Sequence, residues 1–192
     1  YDYVIVGAGS AGCLLAYRLG ENPENRILVI EAGGPDTDPL IHIPLGLGKM
    51  HDRRAHDWGY DTEPEERMNG REIEAMRGKV VGGSSSINVM AYVRGHRGDY
   101  DRWEQNGATG WSYSSILPYF RRMESWEGGE DAWRGGNGPL NTQSARSTDP
   151  LWGAWIEAGK QTGFGFTGDY NGEKQEGLGI SQSTIHNGRR HS

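Results

Sequence analysis

One cysteine, Cys13, stands in 192 residues. A lone thiol closes no disulfide within the chain and suits a reducing compartment, so the cytoplasm is the expected location. No apolar run approaches the roughly 20 residues of a membrane-crossing helix, and no transmembrane segment is expected. Positive charge is scarce: 20 Lys and Arg against 26 Asp and Glu leave a formal charge of -6, with the basic residues scattered. The basic stripe that grips a phosphate backbone is missing, which excludes nucleic acid as an expected partner. No two histidines have the i, i+4 spacing of a helical metal site, so no metal is expected. An initiating methionine is lacking too. The chain opens on "YDYVIV" and stops at "NGRRHS" without a closing element, which reads as a piece of a longer polypeptide whose leader could have been removed.

What is present is an ordinary globular composition, 34% hydrophobic and 24% charged, with 31 glycines. Residues 1–6 and 26–30 are β-branched runs that read as buried parallel strands, and "AGCLLAYRL" between them reads as a helix. Strand, helix and strand make one βαβ unit. Residues 33–57 read as loop, with Pro35, Pro39 and Pro44 as breakers. Three helices are expected further on. The first is "DYDRWEQ", capped by Asp99 and ended by Gly107. The second is "SYSSILPYFRRMES", capped by Ser112 or Ser114, with Pro118 tolerable in its first turn. The third is "DPLWGAWIEAGKQTG", with Asp149 as cap, Pro150 at the first position and Gly163 as stop. The glycine-rich "GGEDAWRGGNGPL" looks like a boundary between lobes.

"GAGSAG", residues 7–12, is G-x-G-x-x-G set between the first strand and the helix. There Gly7 permits the tight turn, Gly9 lets the backbone approach a pyrophosphate, and Gly12 allows helix to pack closely on strand. The helix N-terminus offers free N–H groups and a positive dipole end. Glu31, at the end of the second strand, is placed to accept hydrogen bonds from an adenosine ribose. A dinucleotide is the expected ligand. The motif by itself does not separate NAD from FAD, because both carry the same ADP half.

Discrimination falls to "KVVGGSSSINVMAYVRG", residues 79–95. Gly82 and Gly83 leave backbone bare for a ring or a phosphate, Ser84 to Ser86 add small donors and acceptors, and Asn88 carries both on one planar group. The run through Gly78, Lys79, Val81, Gly82, Gly83, Ser84, Ser85, Ile87, Asn88, Tyr92, Gly95 and Asp101 resembles the first signature of the glucose-methanol-choline (GMC) oxidoreductase family. "DYVIVGAGSAGCLLAYRL", "DWGYDTEP" and "YDRWEQNGATGWSYSSILPYF" resemble it as well, in the expected order, so the likeness covers essentially the whole chain. It is most similar to the bacterial choline-dehydrogenase-like alcohol dehydrogenases of that family.

The resemblance implies an α/β fold: a Rossmann-like three-layer FAD-binding domain, residues 1–134, and the start of an α+β substrate domain, residues 135–192. It implies FAD with its ADP half on Gly7, Gly9, Ser10, Ala11, Gly12, Glu31 and Ala32. Gly78, Val81, Gly83 and Ser84 would then run beside the pyrophosphate, and Asn88, Val89, Met90 and Ala91 along the isoalloxazine, Asn88 being nearest the ring. Some family members attach the flavin through a histidine at the place of Ile87, so here the FAD is expected to be noncovalent. The implied reaction is oxidation of a small-molecule alcohol by hydride transfer to flavin N5, with a lyase or a photodecarboxylase as the alternative on the same fold. The catalytic base is expected outside this chain, in the C-terminal remainder of the protein, possibly as a separate chain.

The local histidines have blander readings. His42, His51 and His56 read as exposed loop residues, and His96 belongs to a local ion-pair cluster of Arg94, Arg97, Asp99 and Asp101. Trp58, Trp111, Tyr113, Tyr119 and Phe120 read as packing. Residues 32–57, placed by the resemblance as a flap, hold no Phe, Tyr or Trp, which leans away from a quaternary ammonium and towards a neutral alcohol.

Overall fold

A computed structural model describes residues 1–146 and 149–192. The chain divides into two compact units, residues 1–90 with 187–190 and 192, and residues 91–186 with 191.

In the first unit the β-branched runs form β1 (Tyr3–Val6) and β2 (Ile27–Ile30), parallel and paired from Tyr3 opposite Ile27 to Val6 opposite Ile30. Between them runs α1 (Ser10–Leu19), rich in Ala and Leu, which favour helix. The expected βαβ unit is therefore present, but its strands are not buried as expected: only Ile5 is inaccessible, while Val4 and Val6 of β1 and Val29 and Ile30 of β2 are exposed, because a β-branched run sets strand conformation and leaves open what covers it. The proline-marked segment is a different matter. Pro39 does not break structure; it opens α2 (Pro39–His42), because a first helical residue has no use for the N–H that proline lacks. Asp38 caps that turn by accepting from the Leu40 N–H at 2.9 Å. Pro44 opens a 3-10 turn, Pro44–Gly46, that leads into α3 (Leu47–Asp52). These short helices place Ile41 and Met50 against Val80 and Ile87, all essentially inaccessible, and that cluster is the hydrophobic centre of the unit.

The second unit holds α4 (Arg97–Gln105), α5 (Tyr113–Met123), β3 (Glu124–Trp126), β4 (Leu140–Ser144), α6 (Leu151–Gln161) and β5 (Gln182–Ser183). The sheet order is β3-β4-β5, parallel across the first pair and antiparallel across the second. The cap of α4 is His96, whose Nδ1 accepts from the Gly98 N–H at 3.1 Å, so Asp99 lies inside the helix. Pro118 lies in the interior of α5. The Ser114 carbonyl thereby loses its intrahelical donor, at a position where both residues are exposed and water can serve it. Around α6 the expectation holds in part: Asp149 accepts from the Leu151 N–H at 2.9 Å and Gly163 takes φ +88° just past the end, but Pro150 occupies the cap position and the helix begins one residue later, at Leu151.

The local ion-pair cluster expected of Arg94, Arg97, Asp99 and Asp101 does not form; Arg94 joins a buried one with distant partners instead. The Glu124 carboxylate, with no accessible surface, accepts from Arg94 Nη2 at 2.6 Å, from Arg134 Nη2 at 2.6 Å and from Thr142 Oγ1 at 2.7 Å. Arg134, equally buried, reaches on to both Asp169 carboxylate oxygens, at 2.7 and 2.8 Å. Arg97 instead lies over the Tyr113 and Trp133 rings, Asp99 pairs with Arg102, and Asp101 accepts from the Tyr113 N–H at 2.9 Å. Two cations and two carboxylates balance, with Arg94, Arg134 and Glu124 buried and Asp169 half-buried at the edge of the cluster, the condition under which buried charge is tolerated. Burial alone would raise the Asp169 carboxyl, but bonds from Gln182 and Arg134 outweigh it and hold the group below the ordinary carboxylate range.

Candidate cofactor site

The two glycine loops singled out in the sequence lie against each other within the first unit. Gly7 sits at φ +96°, a turn that carries the chain from β1 into α1 and that only glycine adopts without strain. A Cβ on Gly12 would fall 1.9 Å from the Gly7 carbonyl oxygen and 3.3 Å from Ile5 Cγ2, so bare backbone is what lets α1 seat on β1. Ser10 and Ala11 at the helix start are exposed while Gly12 is buried. These three residues have no intrahelical acceptor for their N–H groups, which leaves a row of donors at the positive end of the helix.

The second loop packs on the first. Gly82 donates its N–H to the Ala8 carbonyl at 2.7 Å, and Gly9 and Gly82 form a parallel bridge. A Cβ on Gly83 would come 2.9 Å from Gly9 Cα, and Gly83 itself sits at φ +58°. Glu31 braces the junction. Its Oε2 accepts from the Ala8 N–H at 2.7 Å and its Oε1 from the Gly33 N–H at 2.8 Å. The Gly33 amide above all, then the Ala8 amide, holds the carboxyl below its usual range. The acid placed by sequence at the end of β2 thus has a structural task that sequence spacing did not reveal.

The serines also differ from the sequence reading. Their hydroxyls are committed to their own loop: Ser84 Oγ accepts from the Gly78 N–H at 3.0 Å, Ser85 donates to the Gly82 carbonyl at 2.7 Å, and Ser86 donates to the Val81 carbonyl at 2.9 Å. They fold the 3-10 turn Gly83–Ser86 and leave bare backbone as the surface on offer. Ile87 points into the apolar centre. Asn88, Val89, Val81 and Ala32 are exposed, whereas Met90 is buried and adopts φ +60°. Of the expected cofactor residues only Ala91 falls in the second unit.

Three contacts in this unit escaped the sequence reading. His51 is bound through Nε2 to the Ile87 carbonyl at 2.9 Å, His56 pairs with Asp38 at 2.9 Å, and His42 contacts the Asp36 carbonyl at 2.6 Å. All three are half-buried fasteners instead of exposed loop residues, a consequence of the helices that formed where loop was expected. A fourth set of contacts without a sequence signal belongs to Arg190, buried against Asn88. No sequence signal marks it, since an arginine ordinarily reads as solvated. Among the described residues no group of His, Cys, Asp and Glu is arranged to hold a metal ion, and no helix is long and apolar enough to cross a membrane.

A strand–glycine turn–helix braced by an acid at the end of the next strand defines a Rossmann-like nucleotide-binding α/β unit. A family model described as GMC oxidoreductase, for the N-terminal portion of such proteins, matches residues 1–192, and the chain belongs to that family. It is 56% identical over 191 residues to a protein of Rhizobium etli (strain CIAT 652) named oxygen-dependent choline dehydrogenase, covering 100% of this chain and 35% of that one. Among solved structures it is similar to pyridoxine 4-oxidase from "Mesorbium loti", with a TM-score of 0.91 and 39% identity over 98% of this chain and 37% of that one. An FAD-dependent oxidoreductase from Chaetomium thermophilum aligns with a TM-score of 0.89 and 31% identity, over 100% of this chain and 35% of that one. The chain therefore spans about a third of the length of these relatives.

Proposed function

We propose that this chain forms the N-terminal, FAD-binding part of an enzyme that oxidises the CH–OH group of a small alcohol. The observation that carries the reading is the interlock of Gly9 with Gly82 and Gly83, which holds two glycine-containing loops side by side at the start of α1. That cradle fits a dinucleotide cofactor. Gly7, Gly9, Ser10, Ala11 and Gly12 would receive the pyrophosphate on backbone N–H groups, with Glu31 and Ala32 towards the ribose. Gly78, Val81, Gly83 and Ser84 would flank the phosphates, and Asn88, Val89, Met90 and Ala91 the ring. Ile87 offers no atom for a covalent link, so the FAD is held noncovalently. When bound, the flavin supplies the hydride acceptor for alcohol oxidation.

This chain's own contribution is binding and orientation: bare backbone at the phosphates and a planar amide at the ring. The proton acceptor for the substrate hydroxyl is assigned to the C-terminal remainder of the protein, on the same polypeptide or a separate chain. In functional terms residues 1–134 are the cofactor portion and 135–192 the beginning of the substrate portion, a division distinct from the two compact units. The single cysteine supports a cytoplasmic setting.

Similarity to proteins named choline dehydrogenase makes choline the first alcohol to test. The absence of aromatic rings in residues 32–57 favours a neutral alcohol as the second reading. The visible spectrum of the purified native assembly, taken before and after acid precipitation, tests the cofactor. Release of yellow colour to the supernatant is the expected result. Anaerobic addition of choline and of neutral primary alcohols then tests the chemistry: bleaching identifies the oxidisable alcohol, whereas a flavin that stays oxidised with all of them points to the lyase or photodecarboxylase reaction.

A further inference from the structure

Arg190 is 6% exposed, and among the described residues it forms no ion pair. Its guanidinium is satisfied by carbonyl groups alone. Nε donates to the Ile41 carbonyl at 2.8 Å, Nη1 to the Ser85 carbonyl at 3.0 Å and to Asn88 Oδ1 at 2.8 Å, and Nη2 to the Asn88 backbone carbonyl at 2.8 Å. A buried cation without a counter-ion is costly, and chains keep one where its charge or its fork of donors is put to use.

The use is visible at Asn88. Its Oδ1 accepts twice, from Arg190 Nη1 and from the Met90 N–H at 2.9 Å. An amide nitrogen cannot accept from two donors, so the carboxamide is fixed in one orientation. Its Nδ2 hydrogens donate to no described residue, and the Asn88 side chain stands at an exposed position. The same guanidinium also grips both ends of the 85–88 segment, from the Ser85 carbonyl to the Asn88 carbonyl.

We propose that Arg190 is a positioning residue of the flavin site: it turns the Asn88 amide so that its N–H donors face the ring, and it leaves an unneutralised positive charge behind the loop that favours the reduced, electron-rich flavin. The inference rests on the FAD reading above. Arg190 is then a donor that orients another donor, and a charge that acts through the loop without touching the cofactor.

The test uses the native assembly and three variants, Arg190→Met, Arg190→Lys and Asn88→Asp, with FAD dissociation constant, flavin midpoint potential and thermal unfolding as readouts. Asn88→Asp keeps two acceptors for Arg190 and for the Met90 N–H, so it folds even where Arg190→Met does not. It neutralises the cation and deletes the N–H donors. The expected results are FAD bound at least tenfold more weakly in Arg190→Met and Asn88→Asp, with a lower midpoint potential in both. Arg190→Lys keeps the potential near that of the parent while loosening FAD, since the charge survives and the fork does not. A parent assembly that binds FAD, with variants whose affinity stays within twofold and whose potential is unchanged, overturns this inference and leaves the flavin reading standing. A parent assembly that takes up no FAD overturns both.

Discussion

Gly83 lies so close to Gly9 that a Cβ on Gly83 would stand 2.9 Å from Gly9 Cα. Real Cβ atoms do not approach backbone that nearly, and Gly83 also occupies a left-handed conformation that side chains resist. Gly83→Ala is therefore expected to destabilise by about 1–3 kcal/mol through strain and overlap together. It should also part the two loops. Thermal unfolding with parallel measurement of FAD content checks this: cofactor should be lost at temperatures where the remaining secondary structure persists, and an unchanged FAD content would contradict the interlock.

Glu31 links pH to the same junction. Its carboxyl is held below its ordinary range, so the stabilisation is fully present above the unfolded value of about 4.3 and disappears as pH falls through the lower folded value. FAD retention, followed by fluorescence of released flavin, should be flat from neutral pH down to about 5 and fall in the acid below. In Glu31→Gln one of the two loop amides faces an amide N–H in place of an acceptor. Retention should then drop at neutral pH as well, at least tenfold, with the acid limb flattened.

Glu124 is the anion on which two buried guanidinium groups depend. Glu124→Gln leaves Arg94 and Arg134 with an uncompensated charge, and removal of one partner from a buried pair costs about 3–5 kcal/mol. Denaturant unfolding measures it. Lys160, whose pairing with Glu157 is exposed, provides the contrast: Lys160→Ala should change stability by less than about 1 kcal/mol.

His51 reaches across to the Ile87 carbonyl, one residue before Asn88. His51→Ala should cost about 1 kcal/mol in unfolding, the ordinary value of one such bond, and weaken FAD binding by loosening the loop behind it. Equal affinity in parent and variant would show that the loop is held without it.

The parts of this fold that sequence declares are those in which one residue type has one physical use. Gly7 and Gly12 are readable because a positive φ and a 1.9 Å approach admit nothing else, and β1 and β2 as strands because their Val and Ile residues favour extended backbone, although the burial expected of them is not found. Pro39 misleads because proline both ends helices and begins them, and only the Asp38 cap and the burial of Ile41 decide between the two. The serines of the second loop were legible as small and polar but not as to their partners, since a hydroxyl satisfies its own turn as readily as a ligand. Arg190, Glu124 and Arg134 were illegible for a different reason. Charged residues are ordinarily exposed, and their burial is set by partners far along the chain that no local pattern encodes.

Arg190 and Asn88 are 102 residues apart in sequence. A ribosome adding about 5–20 residues per second needs roughly 5–20 s to pass from one to the other. Throughout that interval the 85–88 segment exists without its clasp, even though the βαβ unit at the N-terminus is already complete. The order of synthesis therefore separates capture from alignment: a nucleotide can meet the first glycine loop early, but the amide at Asn88 acquires a fixed direction only after residue 190 has emerged and folded back.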